Sequence, residues 1–207
     1  MKIGFIGCGN MGGALAKRFA GAGHSVMVSS RDKHKAEACA KDCGKNASAG
    51  TISDVVKFGE IIVLAVPYSE INSALKSAGD LKGKILLDIT NALTPDYSLA
   101  IGFTSSAAEE IAKLVPQTKI VKAFNTIFAQ VVANPNFKDG KPSVFVASDY
   151  DDAKKKVIKL ASDIGFETHD AGPLKNARLL EPLGMFNISL GYQLGMGADI
   201  AFKLMKR

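Results

Sequence analysis

Apolar residues recur along the chain in strand-length runs that alternate with helical stretches, and this alternation predicts the architecture. The runs stand at 3–6, 26–29, 61–66, 85–88, 120–123, 144–147 and 167–169. Helical stretches lie near 12–22, 33–43, 53–57, 69–77, 106–114 and 150–164. Ser106 and Glu109 have capping-box spacing, which supports a helix start there. Helices placed between strands carry the crossovers that parallel strands require. The expected fold is therefore α/β, with a doubly wound and mostly parallel sheet.

From Leu174 the strand pattern stops. Leu179, Leu180, Leu183, Phe186, Ile188, Leu190 and Leu194 recur at helical intervals, interrupted by Gly184, Gly191, Gly195 and Gly197. Two helical pieces are expected rather than one rod. So apolar a tail must pack on the sheet or on another subunit. The chain thus divides into a sheet domain at 1–172 and a C-terminal helical lid or dimerisation segment at 173–207. The clearest loop is 134–142, with two prolines and a glycine.

The first strand ends in Gly7-Cys8-Gly9-Asn10-Met11-Gly12, and an Ala/Leu-rich helix starts at once. Here Gly7 permits the tight turn, Gly9 admits close approach of a pyrophosphate, and Gly12 lets helix and strand pack closely. The helix N-terminus then faces the phosphates. Asn10 and Met11 belong to the same turn. A G-x-G-x-x-G at the end of a strand and the start of a helix marks a Rossmann dinucleotide site.

The charge pattern bears on which dinucleotide. An NAD site places an acid at the end of the second strand. This strand ends Val28-Ser29-Ser30-Arg31, before Asp32 and Lys33. Hydroxyls followed by a guanidinium suit a 2′-phosphate, so NADP is the expected coenzyme. Asp32 lies past the position of the acid and can cap the next helix. Val66 and Pro67, just past a strand end, are expected to wall the ribose or the nicotinamide, and Asn91 stands similarly after the next strand.

Composition narrows the classes. The 207 residues are 47% hydrophobic and 22% charged, which fits a globular protein. A net charge of +6 fits an anionic ligand, while no nucleic-acid module is legible. Apolar runs are too short for a membrane span, the N-terminus does not read as a signal peptide, and a cytoplasmic location is expected. Cys8, Cys39 and Cys43 form neither a disulfide framework nor a metal set.

With these pieces in place the chain resembles the NADPH-dependent reductases of the deazaflavin coenzyme F420, and the related cytosolic domains of six-transmembrane ferric reductases. The carriers are the glycine loop, Ser29-Ser30-Arg31, Val66-Pro67, Val121-Lys122-Ala123-Phe124-Asn125-Thr126-Ile127 and Asp170-Ala171-Gly172-Pro173-Leu174-Lys175-Asn176-Ala177-Arg178. The resemblance implies a Rossmann domain holding NADPH, with a helical tail covering a second redox ligand. It places Asn125, Thr126 and Ile127 near the nicotinamide. Archaeal deazaflavin reductases carry histidine and proline where this chain has Asn125 and Phe128; the Phe-Asn-Thr version is closer to the ferric-reductase type, whose partner is a flavin. Pyrroline-5-carboxylate reductases share the opening but need a longer helical tail.

The expected activity is hydride transfer between NADPH and F420, with Asn125 and Thr126 orienting the rings through hydrogen bonds. No Ser/His/Asp constellation is legible, as expected where the cofactors carry the chemistry. An NADPH:flavin or ferric reductase and a non-catalytic NADP(H) sensor are the alternatives. A homodimer is expected. Arg178 is expected to pair with Glu181, and His169 to be a partly buried strand residue.

Overall fold

The computed structural model describes every residue except Pro95 and Tyr97. Strands β1 (Lys2–Ile6), β2 (Ser25–Ser29), β3 (Ala47–Ala49), β4 (Ile61–Leu64), β5 (Ile85–Asp88) and β6 (Lys119–Lys122) form one sheet. All its pairings are parallel, in the order β3-β2-β1-β4-β5-β6. Each face is covered by helices, so the strands read as unbroken apolar runs rather than alternating ones. Ile61 and Val63 face one core, which holds Leu15 and Phe19 of α1 (Asn10–Gly21). Ile62 and Leu64 face the other, with Val55 of α3 (Ile52–Phe58) and Ile71 of α4 (Ile71–Ala78). A period of two along β4 thus divides one run between two layers.

The chain leaves β1 toward β2 and β3, then returns to β4 on its other side. Connections diverge at that point, and the crevice at the carboxyl ends of β1 and β4 is where a doubly wound sheet binds its ligand. Helix α2 (Lys33–Cys43) starts where the Asp32 carboxylate accepts from the amides of His34 (2.9 Å) and Lys35 (3.4 Å). Helix α5 (Ala107–Leu114) starts at Ser106, whose hydroxyl accepts from the Glu109 amide at 3.2 Å.

Three features depart from the sequence-based expectation. Strand β3 and the five-residue α6 (Ala129–Ala133) are too short to carry a periodic signal. The last two strands, β7 (Ser143–Val146) and β8 (Glu167–Asp170), pair with each other around α7 (Asp151–Asp163) as a separate parallel unit. Their backbone joins the main sheet at an antiparallel bridge between Lys122 and Ala147, beside which the Ser148 hydroxyl donates to the Ile120 carbonyl at 2.6 Å. The tail forms α8 (Ala177–Ile188), continued by a π turn at Ser189–Gln193. A second helix does not follow, because Gly195 (φ +73°) and Gly197 (φ +78°) adopt left-handed backbone that ends right-handed winding. The remaining residues return to the protein, where Phe202 stacks on Phe186 and its carbonyl accepts from the Ser143 amide at 2.9 Å.

Candidate functional site

The glycine loop crosses the crevice between β1 and β4. Gly7 has φ +101°, and a Cβ there would stand 2.3 Å from the Ala65 carbonyl oxygen. At Gly12 a Cβ would stand 2.4 Å from the Gly7 carbonyl oxygen. Both positions are therefore held as glycine by protein packing. Gly9 is different, for a Cβ there meets nothing within 4 Å. Packing therefore does not demand glycine at that position. Gly9 also starts α1 with no side-chain cap, and the first turn carries no acidic residue. The amide groups at this helix end keep their positive dipole available for an anion.

At the end of β2 the side chains divide. Ser29 is fully buried and donates its hydroxyl to the Phe5 carbonyl at 2.9 Å, so it forms the floor of the site. Ser30 and Arg31 line a hollow of about 220 Å³ with Gly7, Gly9, Val66 and Pro67. Val66 and Pro67 therefore wall the same hollow as Arg31. Asp32 turns away to cap α2. A carboxylate nonetheless enters this hollow from elsewhere in the sequence: Glu70, whose Oε2 lies 3.3 Å from Nη1 of Arg31.

A second cavity, of about 680 Å³, opens between α1, the loop after β6 and α8. Asn10, Met11, Asn91, Asn125 and Ile127 line it together with Phe128, Gln130, Asn187 and Tyr192, and no charged side chain reaches it. Phe124 turns the chain into this loop with φ +62°, an uncommon conformation for a bulky residue. Two amides then lock the turn. Asn91 Nδ2 donates to the Asn125 carbonyl (2.9 Å), and Asn125 Nδ2 donates to Asn91 Oδ1 (3.0 Å) and to the Leu180 carbonyl (2.7 Å). Asn187 Nδ2 donates to the Thr126 carbonyl at 3.1 Å. Thr126 is buried and is not among the lining residues. Close approach of α8 explains the glycines of the tail: at Gly184 a Cβ would lie 2.7 Å from both Asn125 O and Asn91 Oδ1. At Gly191 it would lie 2.8 Å from the Phe128 ring.

Behind this loop sits an ionic cluster that sequence reasoning missed. Lys122 is fully buried, with its ammonium 2.8 Å from Asp88 and 2.8 Å from Glu181. Glu181 also accepts from the amides of Ala107 (2.9 Å) and Ala108 (3.2 Å) at the start of α5. Burial alone would lower the Lys122 pKa, but the two carboxylates outweigh it and hold the group above its ordinary value. One lysine thus joins β5, β6, α5 and α8. The available signal was a lone glutamate in an apolar helix, Leu179-Leu180-Glu181-Pro182-Leu183. Arg178 does not pair with Glu181 as expected; it makes a forked bond to Glu109 (2.7–3.1 Å), since Glu181 points inward. His169 lies on β8 beside Ser143 at 3.0 Å and lines neither cavity.

Among the described residues no group of histidine, cysteine, aspartate and glutamate could hold a metal ion, and no helix is long and apolar enough to cross a membrane. Residues 2–92 match the family model described as NADP oxidoreductase, coenzyme F420-dependent. The chain is 33% identical over 213 residues to the F420-dependent NADP reductase of Methanothermobacter thermautotrophicus, covering 92% of this chain and 89% of that protein. It is 33% identical over 186 residues to metalloreductase STEAP3 of Rattus norvegicus, covering 88% of this chain but only 36% of that longer protein. Among solved structures, an Arthrobacter sp. FB24 protein assigned to the F420-dependent NADP reductases matches with TM-score 0.88 and 31% identity over 100% of both chains. Likeness on this scale, along nearly the whole length of the archaeal enzyme, means that the chain belongs to the F420-dependent NADP reductase family.

Proposed function

We propose that this protein transfers hydride reversibly between NADP(H) and coenzyme F420. The observation that carries this reading is the 680 Å³ cavity, which adjoins the start of α1 and has only apolar and uncharged polar walls. Its volume suits a small-molecule ligand. When bound, NADPH supplies the hydride and the deazaflavin ring accepts it. Reduction of the deazaflavin ring also takes up one proton, which solvent would supply because the cavity lining holds no acid or base. The protein's task is to place two flat rings face to face, and orientation of this kind is worth up to about 7–11 kcal/mol of barrier.

The residues divide the work by position. Gly7, Gly9, Asn10, Met11 and Gly12 receive the pyrophosphate on the α1 amides. Ser30 and Arg31 receive the 2′-phosphate over the floor made by Ser29, while Val66 and Pro67 flank the adenosine ribose. Asn91, Asn125 and Ile127 hold the nicotinamide edge. Thr126 contributes through its carbonyl, which Asn187 fixes. Phe128 and Tyr192, edge to face at 5.4 Å, border the space for the second ring.

Mixing the protein with NADPH and F420 should bleach the oxidised deazaflavin absorbance in step with NADPH consumption. Turnover with free flavins or ferric ion alone would replace this reading with the NADPH:flavin or ferric reductase alternative, whose metal-reducing arm the metalloreductase relatives favour. Tight NADPH binding without turnover of any acceptor would leave a sensor.

We further propose a cytoplasmic homodimer. Three free thiols suit a reducing compartment. Leu179 and Phe186 of α8 and Leu194, Met196 and Met205 of the tail are each more than half exposed, apolar surface that a second subunit would cover. Sedimentation equilibrium should return twice the 21.8 kDa chain mass, and a monomer at micromolar concentration would refute the dimer.

A further inference from the structure

The hollow at the end of β2 contains both signs of charge. Arg31 enters from the β2 side, and Glu70 enters from the turn after β4, where it precedes α4. Glu70 ends a 3-10 turn (Tyr68–Glu70) that runs directly into α4, and its carboxylate makes no hydrogen bond to that helix. It reaches Arg31 instead, at 3.3 Å. Asp32 is engaged by the α2 amides. Glu37 and Asp54, which share a neighbouring hollow with Arg31, are turned to Lys33 and His34 and to Thr51, respectively. Among the described residues Glu70 is the carboxylate within ion-pair distance of the guanidinium. A 2′-phosphate arriving at Arg31 would meet a second anion competing for the same donor.

We propose that Glu70 is a specificity-determining residue that weakens NADP(H) relative to NAD(H) by competing with the 2′-phosphate for Arg31. The proposal rests on the reading that Arg31 receives this phosphate. The competition has a direction for each coenzyme. With NAD(H) there is no second anion, the Arg31–Glu70 pair persists, and the carboxylate can accept a bond from the ribose 2′-hydroxyl. With NADP(H) the pair must open, and the displaced carboxylate remains in a hollow of about 220 Å³ beside a dianion. Selectivity for the phosphorylated coenzyme is thereby held below what Arg31 alone would give, and NADP(H) leaves more readily after hydride transfer. Arg31 is 83% and Glu70 37% exposed at the side chain, so the effect belongs to the modest range of solvated ion pairs.

The test is equilibrium binding of NADPH and NADH, followed by coenzyme fluorescence at low and high salt, for the wild type, Glu70→Gln, Arg31→Ala and the double variant. Glu70→Gln should tighten NADPH by about two- to five-fold, leave NADH unchanged or slightly weaker, and lose most of its advantage at high salt. The gain should shrink in the Arg31→Ala background, where there is no guanidinium left to contest. An unchanged NADPH affinity in Glu70→Gln, or an equal gain for NADH, overturns the proposal. The underlying reading fails separately, if Arg31→Ala weakens NADPH and NADH alike. Glu70→Asp is the companion variant: its shorter side chain should give part of the same shift, and no shift in either variant counts against the proposal.

Discussion

Replacing Lys122 by methionine is expected to cost about 3–5 kcal/mol of stability, the range found when one partner of a buried ion pair is removed. Methionine approximates the length of the lysine stem but leaves Asp88 and Glu181 facing each other without a cation, both almost wholly shielded from solvent. At neutral pH urea unfolding should show a lower midpoint. Lowering the pH should recover part of the loss in the variant, because protonating either carboxylate removes the stranded charge. Restoring neutrality with Asp88→Asn and Glu181→Gln in the same chain should recover stability too. In the wild type the sign is opposite and the window lies at the alkaline end. The folded-state pKa of Lys122 is raised above 10.5. Its stabilising contribution is therefore complete below the unfolded-state value and disappears as pH rises through the higher folded-state one. A Lys122→Met protein as stable as the wild type at pH 7 would show that the cluster does not hold α8 in place.

Gly7→Ala is expected to cost about 3 kcal/mol and to abolish dinucleotide binding, because two penalties fall on one atom. The backbone sits at φ +101°, and the new methyl would press against the Ala65 carbonyl oxygen at 2.3 Å. Neither the strand end nor the peptide at Ala65 can retreat without opening the β1–β4 pairing on which the crevice depends. Gly9→Ala is the informative contrast. Its methyl meets no protein atom, so the thermal midpoint should stay within a degree or two of the wild type while NADPH affinity collapses. Thermal melts paired with NADPH titration of both variants decide the matter. Equal destabilisation by the two, or intact binding in Gly9→Ala, would remove the pyrophosphate from this loop.

Helix caps show how much local chemistry a reader of the chain can trust. The Ser106–Glu109 spacing places the start of α5 correctly, and Asp32 caps α2 rather than serving as a ribose ligand. Long helices such as α7 emerge within a residue of the expected ends. Each of these depends on side chains and amides only two to four residues apart. Elements without such support were invisible: Ala47-Ser48-Ala49 joins the sheet only because Val26 and Val28 of β2 offer it partners. Pairing partners explain the other departure as well. Apolar runs at β7 and β8 announce strands, but whether they extend the main sheet or pair apart depends on groups far along the chain. The Ala147 backbone meets Lys122, and Phe202 takes the edge of β7.

The amino-acid sequence by itself determined the parallel α/β architecture, the glycine turn, the helix that follows it and the basic end of β2. Short-range periodicity and backbone freedom encode all of these. Only the tertiary structure decided which charges meet. It turned Glu181 inward to Lys122 and sent Arg178 to Glu109. It also engaged the Asn125 amide with Asn91 and set Glu70 against Arg31. Those pairings join residues 34 to 69 positions apart in the chain, with Glu181 59 positions from Lys122 and Glu70 39 from Arg31. Coulomb attraction and desolvation depend on distance in space, which no local pattern of residues records.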